Sequence, residues 1–398
     1  MQPEARALFN EHFSEKAYQQ LLEEVNQEFP GQLDFRIAES PVFIPSDLKT
    51  KLLLAGNEII DQLISEKLRQ ATEDAVPAGY QFPQPQGRPH FIALDFGICQ
   101  NEQGEPEPKL IELQGFPSLF AFQHYLGAKY RKHFSIADGF SPYFNRLNGF
   151  GYQETIKKLL KPKAEENVVL LEAYPEKQKT RLDFTLSKLY FDLDVVCLSQ
   201  VELDGSSLFY FKDGEKKQID RVYNRVIFDE LEHKYPELLP KLDVLKKADF
   251  QWVTHPAWYY KISKYCLPFL KGKAVPQTFF AHEAKEILDE TGRFVLKPLF
   301  SFAGKGVNLN PTKEEIESLE NASDYILQEK VTYEPCVLTT KGQKAKTEIR
   351  LLYIWPENSS RPRLITGLAR LSRGEMIGVE HNKDLSWVGG SASFFETN

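Results

Sequence analysis

Sulfur and tryptophan are scarce: two methionines, four cysteines and four tryptophans occur in 398 residues. Cys99, Cys197, Cys266 and Cys336 are far apart and form no CxxC pair. Neither a disulfide framework nor a structural zinc site is expected, and reduced thiols in a cytoplasmic protein are the expectation. The eight histidines show no HxxxH or HxH spacing, so a histidine metal site is not expected either. No run of about 18 apolar residues exists, which argues against a membrane-spanning helix. The start, MQPEARALFNEHF, is charged early and lacks an apolar h-region, against a secretory signal. Basic residues are not in excess: 49 Lys and Arg stand against 56 Asp and Glu, a formal net charge of −7. A protein that coats nucleic acid would show the opposite balance. The P-loop pattern GxxxxGK[ST] and the Rossmann fingerprint GxGxxG are both missing.

What remains is the composition of a globular chain, 42% apolar and 26% charged, long enough for two or three domains. Residues 1–75 read as mostly helical, with apolar residues at three- and four-residue spacing in Ala17–Val25 and Leu48–Gln70. Pro77–Pro89 is a loop. HFIALDFGIC, the turn NEQGEPEP and KLIELQGF form a hairpin pattern, and 120–160 reads as helical again. After a linker at 160–167, NVVLLEAY, RLDFTLSKLYF and LDVVCLS give strand, helix, strand, the signature of a layered α/β domain. LFYFKDGEKKQIDRVYNRVI reads as a hairpin turning at Asp213-Gly214. Helices are expected at Pro236–Lys247 and Tyr259–Phe269. Two strands joined by a Gly/Ser loop are expected in GRFVLKPLFSFAGKGVNLNP. Further strands follow in DYILQEKV, TEIRLLYIW and PRLITGLARLS.

The most chemical segment is FVLKPLFSFAGKGV, 294–307. Lys297 ends an apolar strand and is followed by Pro298. A small flexible loop then carries Ser301, Gly304, Lys305 and Gly306. An ammonium on a strand reaches phosphate oxygens from a fixed point, and glycines let backbone N–H groups approach them. Downstream, YILQEKV puts Gln328, Glu329 and Val331 at a strand end, where a hinge could hydrogen-bond an adenine edge. Glu334 follows at a distance suited to a ribose hydroxyl.

Lysine strand, glycine loop and QExV hinge stand in the order and spacing of the ATP-grasp superfamily. TEIRLLYIW adds Arg350, and ISKYCLPFL followed by VPQTFF adds Lys264. The metal-binding part of that superfamily normally follows these motifs. Here FIALDFGIC with Asp95, and KLIELQGFPSL with Glu112, Gln114 and Pro117-Ser118, precede them. The chain thus resembles circularly permuted ATP-grasp proteins, the group that includes glutathionylspermidine-synthase-like ligases. The matched motifs cover residues 91–119 and about 264–373. IDRVYNRVIFDEL, with Arg221 and Arg225, also resembles the end of the domain that precedes the nucleotide site in that group.

The resemblance implies an α/β chain in three parts. Residues 1–160 would hold a helical segment and the permuted hairpin, 161–250 a Rossmann-like preceding domain, and 251–398 the nucleotide region. It implies ATP and magnesium as cofactors, with small-molecule carboxylate and amine (or thiol) substrates and neither nucleic acid nor membrane as partner. Lys264, Lys297, Ser301, Gly304, Lys305 and Gly306 would hold phosphates, and Gln328, Glu329, Val331 and Glu334 the nucleoside. Asp95, Glu112 and Gln114 would hold metal. Arg350 and Arg370 would stabilise the transferred phosphoryl group, with Arg373 a secondary cation. Lys179 and Arg181, on a basic loop after a strand end, are candidate substrate contacts. Gln114 stands where the family has asparagine, one methylene shorter, so either the loop compensates or one metal is bound weakly or lost. The implied reaction is carboxylate activation to an acylphosphate followed by amine or thiol attack. An ATP-binding protein without turnover and a phosphotransferase on the same fold remain the alternatives. A carboxylate-pair hydrolase leaves Lys297 and its loop unexplained.

Overall fold

The computed structural model describes residues 1–300, 306–374 and 385–397, with the side chains of 285–289 outside the description. Its centre is a sheet whose main path runs Val42–Ile44, Gly389–Glu396, Arg363–Ser372, Lys344–Ile354, Phe91–Gln100 and Pro106–Gln114. Phe91–Gln100 is buried on both faces along nearly its whole length. Ile92, Leu94, Phe96 and Ile98 pack on one side with Leu48, Leu52, Ile59 and Ile60 of the helix Ser46–Leu63. Phe91 and Ala93 face the other side, with Phe120, Leu126 and Tyr130 of the helix Phe120–His133. The period of two in a strand sorts these residues into two apolar layers around one sheet. Among the described residues no helix is long and apolar enough to cross a membrane.

The hairpin expected at 91–114 forms, and its turn has a local cause. Asn101 Oδ1 accepts the N–H groups of Gln103 and Glu105 at 3.0 and 2.8 Å. Gly104 takes a φ of +80° that other residues rarely adopt. The pairing slips at Asp95/Phe96, leaving Ile111 as an extra residue on the second strand. This bulge aims the Ile111 carbonyl at a neighbouring element.

A second sheet is parallel and runs Gln251–Val253, Arg221–Asn224, Val168–Glu172, Asp194–Cys197, with helix Arg181–Phe191 between the last two. Here the structure corrects the long hairpin expected at 208–227. Ser207–Lys212 and Glu215–Gln218 turn at Asp213-Gly214 within a separate three-stranded sheet. Arg221–Asn224 leaves them to join the parallel sheet. All four of its residues are buried, as an inner parallel strand requires, whereas EKKQ is largely exposed. The third unit is the antiparallel sheet Thr278–Phe280, Tyr325–Glu329, Phe294–Pro298.

Three further expectations change. Residues 120–160 hold two helices, Phe120–His133 and Gly149–Leu160, separated by the short strand Phe140–Ser141. The helix at Tyr259–Phe269 is broken into Ala257–Lys261 and the 3₁₀ turn Lys264–Phe269, which contains Pro268. No full strand follows the glycine loop among the described residues; Asn308 makes a single bridge to Leu296.

Leu351 lies within Lys344–Ile354 and is fully buried. Leu351→Ala should lower unfolding free energy by about 2–5 kcal/mol. Urea denaturation followed by circular dichroism measures it.

Candidate functional site

The floor of the site is set by register. Arg350 is the direct cross-strand partner of Asp95, and Asp95 of Glu112. Asp95 is 2% exposed. Its Oδ1 accepts from Arg350 Nε at 2.5 Å, and its Oδ2 accepts from Arg350 Nη2 at 2.6 Å and Arg370 Nη2 at 2.5 Å. Burial alone would raise the Asp95 pKa; the charges of Arg350 and Arg370 overcome this and hold it below the usual carboxylate range. Arg350 Nη1 donates to Ser118 Oγ at 2.8 Å. Arg370 also pairs with Glu348 at 3.0 Å, and Glu348 accepts from the Tyr333 hydroxyl at 2.5 Å.

The lysines enter from other elements. Lys264 opens the turn Lys264–Phe269, where Ser263 Oγ accepts the Tyr265 N–H, and its ammonium lies 3.3 Å from Glu112. Lys297 and Gln328 stand on the same face of the antiparallel sheet. Lys297 Nζ donates to Gln328 Oε1 at 2.5 Å and to the bulged Ile111 carbonyl at 3.3 Å. Burial pushes the Lys297 ammonium down to about 8, with Glu112 raising it and Lys264 lowering it. Gln328 in turn reaches the Leu110 carbonyl at 3.4 Å, so the hairpin bulge is tied to this sheet by two side chains.

The opposite wall comes from the ends of the parallel strands, where ligands bind in open α/β sheets. Glu172 ends Val168–Glu172, and Arg225 follows Arg221–Asn224. Arg225 is paired with buried Asp183 at 2.6 Å. Burial raises the Glu172 carboxyl to about 8, although the Ala173 N–H and the Arg225 charge act to lower it.

These walls enclose a cleft of about 740 Å³. Of the residues expected from sequence, Asp95, Glu112, Gln114, Lys264, Lys297, Gln328, Glu329, Val331, Arg350 and Arg370 all line it. Ser301, Gly304 and Lys305 lie outside the described residues. Gly306, with φ +74°, packs against Pro298 and is not part of the lining. Glu334 is not part of the lining, and its backbone N–H donates to the Ile98 carbonyl at 2.9 Å. Arg373 reaches Ser386 at 3.4 Å. Arg181 is an ion-pair partner of Asp34, with Lys179 close by; neither lines the cleft, although Gln178 and Thr180 beside them do. Sequence reasoning missed Tyr333, Glu348, Glu172 and Arg225 as lining residues. Glu348 carried a signal, since it shares a strand face with Arg350 two residues on. Glu172 carried another, as a carboxylate ending an apolar parallel strand.

Asp95 does not fit the metal role expected of it. Magnesium needs oxygen lone pairs and tolerates few protein ligands, whereas both Asp95 oxygens face guanidiniums. Glu112 is engaged by Lys264, and Glu348 by Arg370 and Tyr333. Among the described residues no group of three or more His, Cys, Asp or Glu is arranged to hold a metal ion.

No family model matches the chain, and no curated protein matches it in sequence. Among solved structures it is similar to a glutathione synthetase-like effector from Globodera pallida in the apo form. The TM-score is 0.58 at 12% identity, covering 96% of this chain and 97% of that one. At this identity the likeness shows a shared fold.

Glu172 gives a pH signature. Its folded pKa of about 8 lies above the roughly 4.3 of a free glutamate. Between these values the folded chain keeps a proton that the unfolded chain has lost, so stability falls as pH rises across that window. Glu172→Gln should leave unfolding at about pH 5 nearly unchanged and make the protein more resistant at about pH 9. Urea midpoints at the two pH values check this.

Proposed function

We propose that the chain is an ATP-dependent ligase of ATP-grasp type with a circularly permuted order. It would join a small carboxylate to an amine or thiol through an acylphosphate, releasing ADP and phosphate. One observation carries the reading: Lys264, Lys297, Arg350 and Arg370 converge on a single cleft. The fold shared with a glutathione synthetase-like protein supports a ligase-like framework. The permuted order is supported by the central sheet, in which Phe91–Gln100 pairs with Lys344–Ile354.

Phosphoryl transfer asks the protein mainly for position and charge. Lys264 and Lys297 would neutralise phosphate oxygens as the nucleoside lies along Gln328–Val331. Arg350 and Arg370 would receive the oxyanion that develops between nucleotide and carboxylate. Glu172 and Arg225, at the far wall, would receive the acceptor. Magnesium belongs to the expected cofactors, but the acidic groups do not fit it as arranged, and each step here belongs to the chain's own side chains. The commitment of Asp95 to two arginines favours one second reading, an ATP-binding protein without turnover.

Purified protein given ATP, hydroxylamine and a panel of carboxylic acids should yield hydroxamate and ADP. ATP binding without hydroxamate from any acid would favour the second reading, and no ATP binding at millimolar levels would sink both. Affinity for ATP should fall as pH rises through about 8, because the Lys297 ammonium loses its charge there. Lys297→Met should weaken ATP at least about tenfold near pH 7 and flatten that pH dependence, as read by calorimetry.

A further inference from the structure

The carboxylate expected to bind metal is already committed in both oxygens, and the commitment is built into the sheet. Arg350 and Asp95 are cross-strand partners, and so are Glu348 and Arg370. Side chains of directly paired residues leave the sheet on the same face. The four therefore form one patch, closed by Ser118 on Arg350 and by Tyr333 on Glu348. Arg370 keeps 31% of its side chain exposed and lines the cleft, so its guanidinium still meets a ligand.

We infer that Asp95 is a positioning residue that holds Arg350 and Arg370 as an oxyanion clamp, and that the cleft takes a nucleotide polyphosphate on this clamp and its two lysines without a divalent cation. The inference rests on the nucleotide reading of the cleft. Charge argues for it. Lys264, Lys297, Arg350 and Arg370 face Asp95, Glu112 and Glu348, an excess of positive charge before any ligand enters. Such a cleft attracts a polyphosphate and repels a bare dication. Desolvation argues the same way. A metal on Asp95 would have to compete for a buried carboxylate that already accepts three guanidinium hydrogen bonds, and would weaken its hold on both arginines. Glu112, the next carboxylate, is shared with Lys264 at 3.3 Å.

The test is calorimetry of the full chain with ATP, once in EDTA and once in excess magnesium. The two dissociation constants should agree within about fivefold. Binding in magnesium with a larger loss in EDTA would overturn the clamp and leave the nucleotide reading standing. No binding in either medium would overturn both. D95N should change ATP affinity by the same factor in both media, since it disturbs the arginines; a loss confined to the magnesium medium would mark Asp95 as a metal ligand and overturn the inference. Because D95N removes the charge shared by two guanidiniums, R350K is measured beside it, with circular dichroism to verify folding. R350K keeps the charge but loses the fork geometry, and should weaken ATP roughly fivefold with and without magnesium. Manganese titrated alone and followed by electron paramagnetic resonance should remain free at micromolar protein; tight manganese binding would count against the clamp.

Discussion

The ladder between Phe91–Gln100 and Lys344–Ile354 is the constraint on which the site depends. It brings Asp95 and Arg350, 255 residues apart in sequence, into direct cross-strand register. A slip of one residue would turn Arg350 and Glu348 into the apolar layer that holds Ile349, Leu351 and Tyr353. That layer is fully buried, so register is enforced by hydrophobic packing and the polar patch follows from it. The same argument fixes Lys297. Leu296 and Leu327 pack in a small core of their own, which leaves Lys297 and Gln328 on the opposite face, toward the hairpin.

Electrostatics then explains why the acids and bases come in pairs. A buried charge without a partner is costly, and in a cleft the partners compete with any ligand. Asp95 with two arginines, Glu112 with Lys264 and Arg225 with Asp183 each settle this locally. Lys297 and Glu172 are settled differently. Among the described residues Lys297 donates only to neutral oxygens, and burial pushes its ammonium down, as burial pushes the Glu172 carboxyl up. The net charge of −7 hides this arrangement. Between Cys336 and Gly374 eight basic residues stand against two acidic ones, and that stretch supplies Lys346, Arg350 and Arg370 to the cleft.

Part of the fold and of the site was legible in the chain. The hairpin at 91–114 was readable because Asn101 and Gly104 make a recognisable turn between alternating strands. Lys297 and Gln328 were readable as polar residues on otherwise apolar strands, which need a reason to be there. Arg221–Asn224 was misread because its hairpin and its parallel strand are contiguous in sequence, and local pattern cannot say where a chain changes sheets. Tyr333 and Glu172 were missed because a tyrosine in a connecting segment and a polar strand end are ordinary until a distant element is set against them.

The sequence by itself determined the strand alternation, the turn residues and the placement of cations at strand ends, because these follow from local sterics and the period of the backbone. It could assign Asp95 to a metal only by resemblance. Tertiary structure decided its partners, since the partner of a buried carboxylate is whichever group the sheet register sets opposite it. Here that group is Arg350, with Arg370 beside it, and no local pattern around FIALDFGIC encodes either contact.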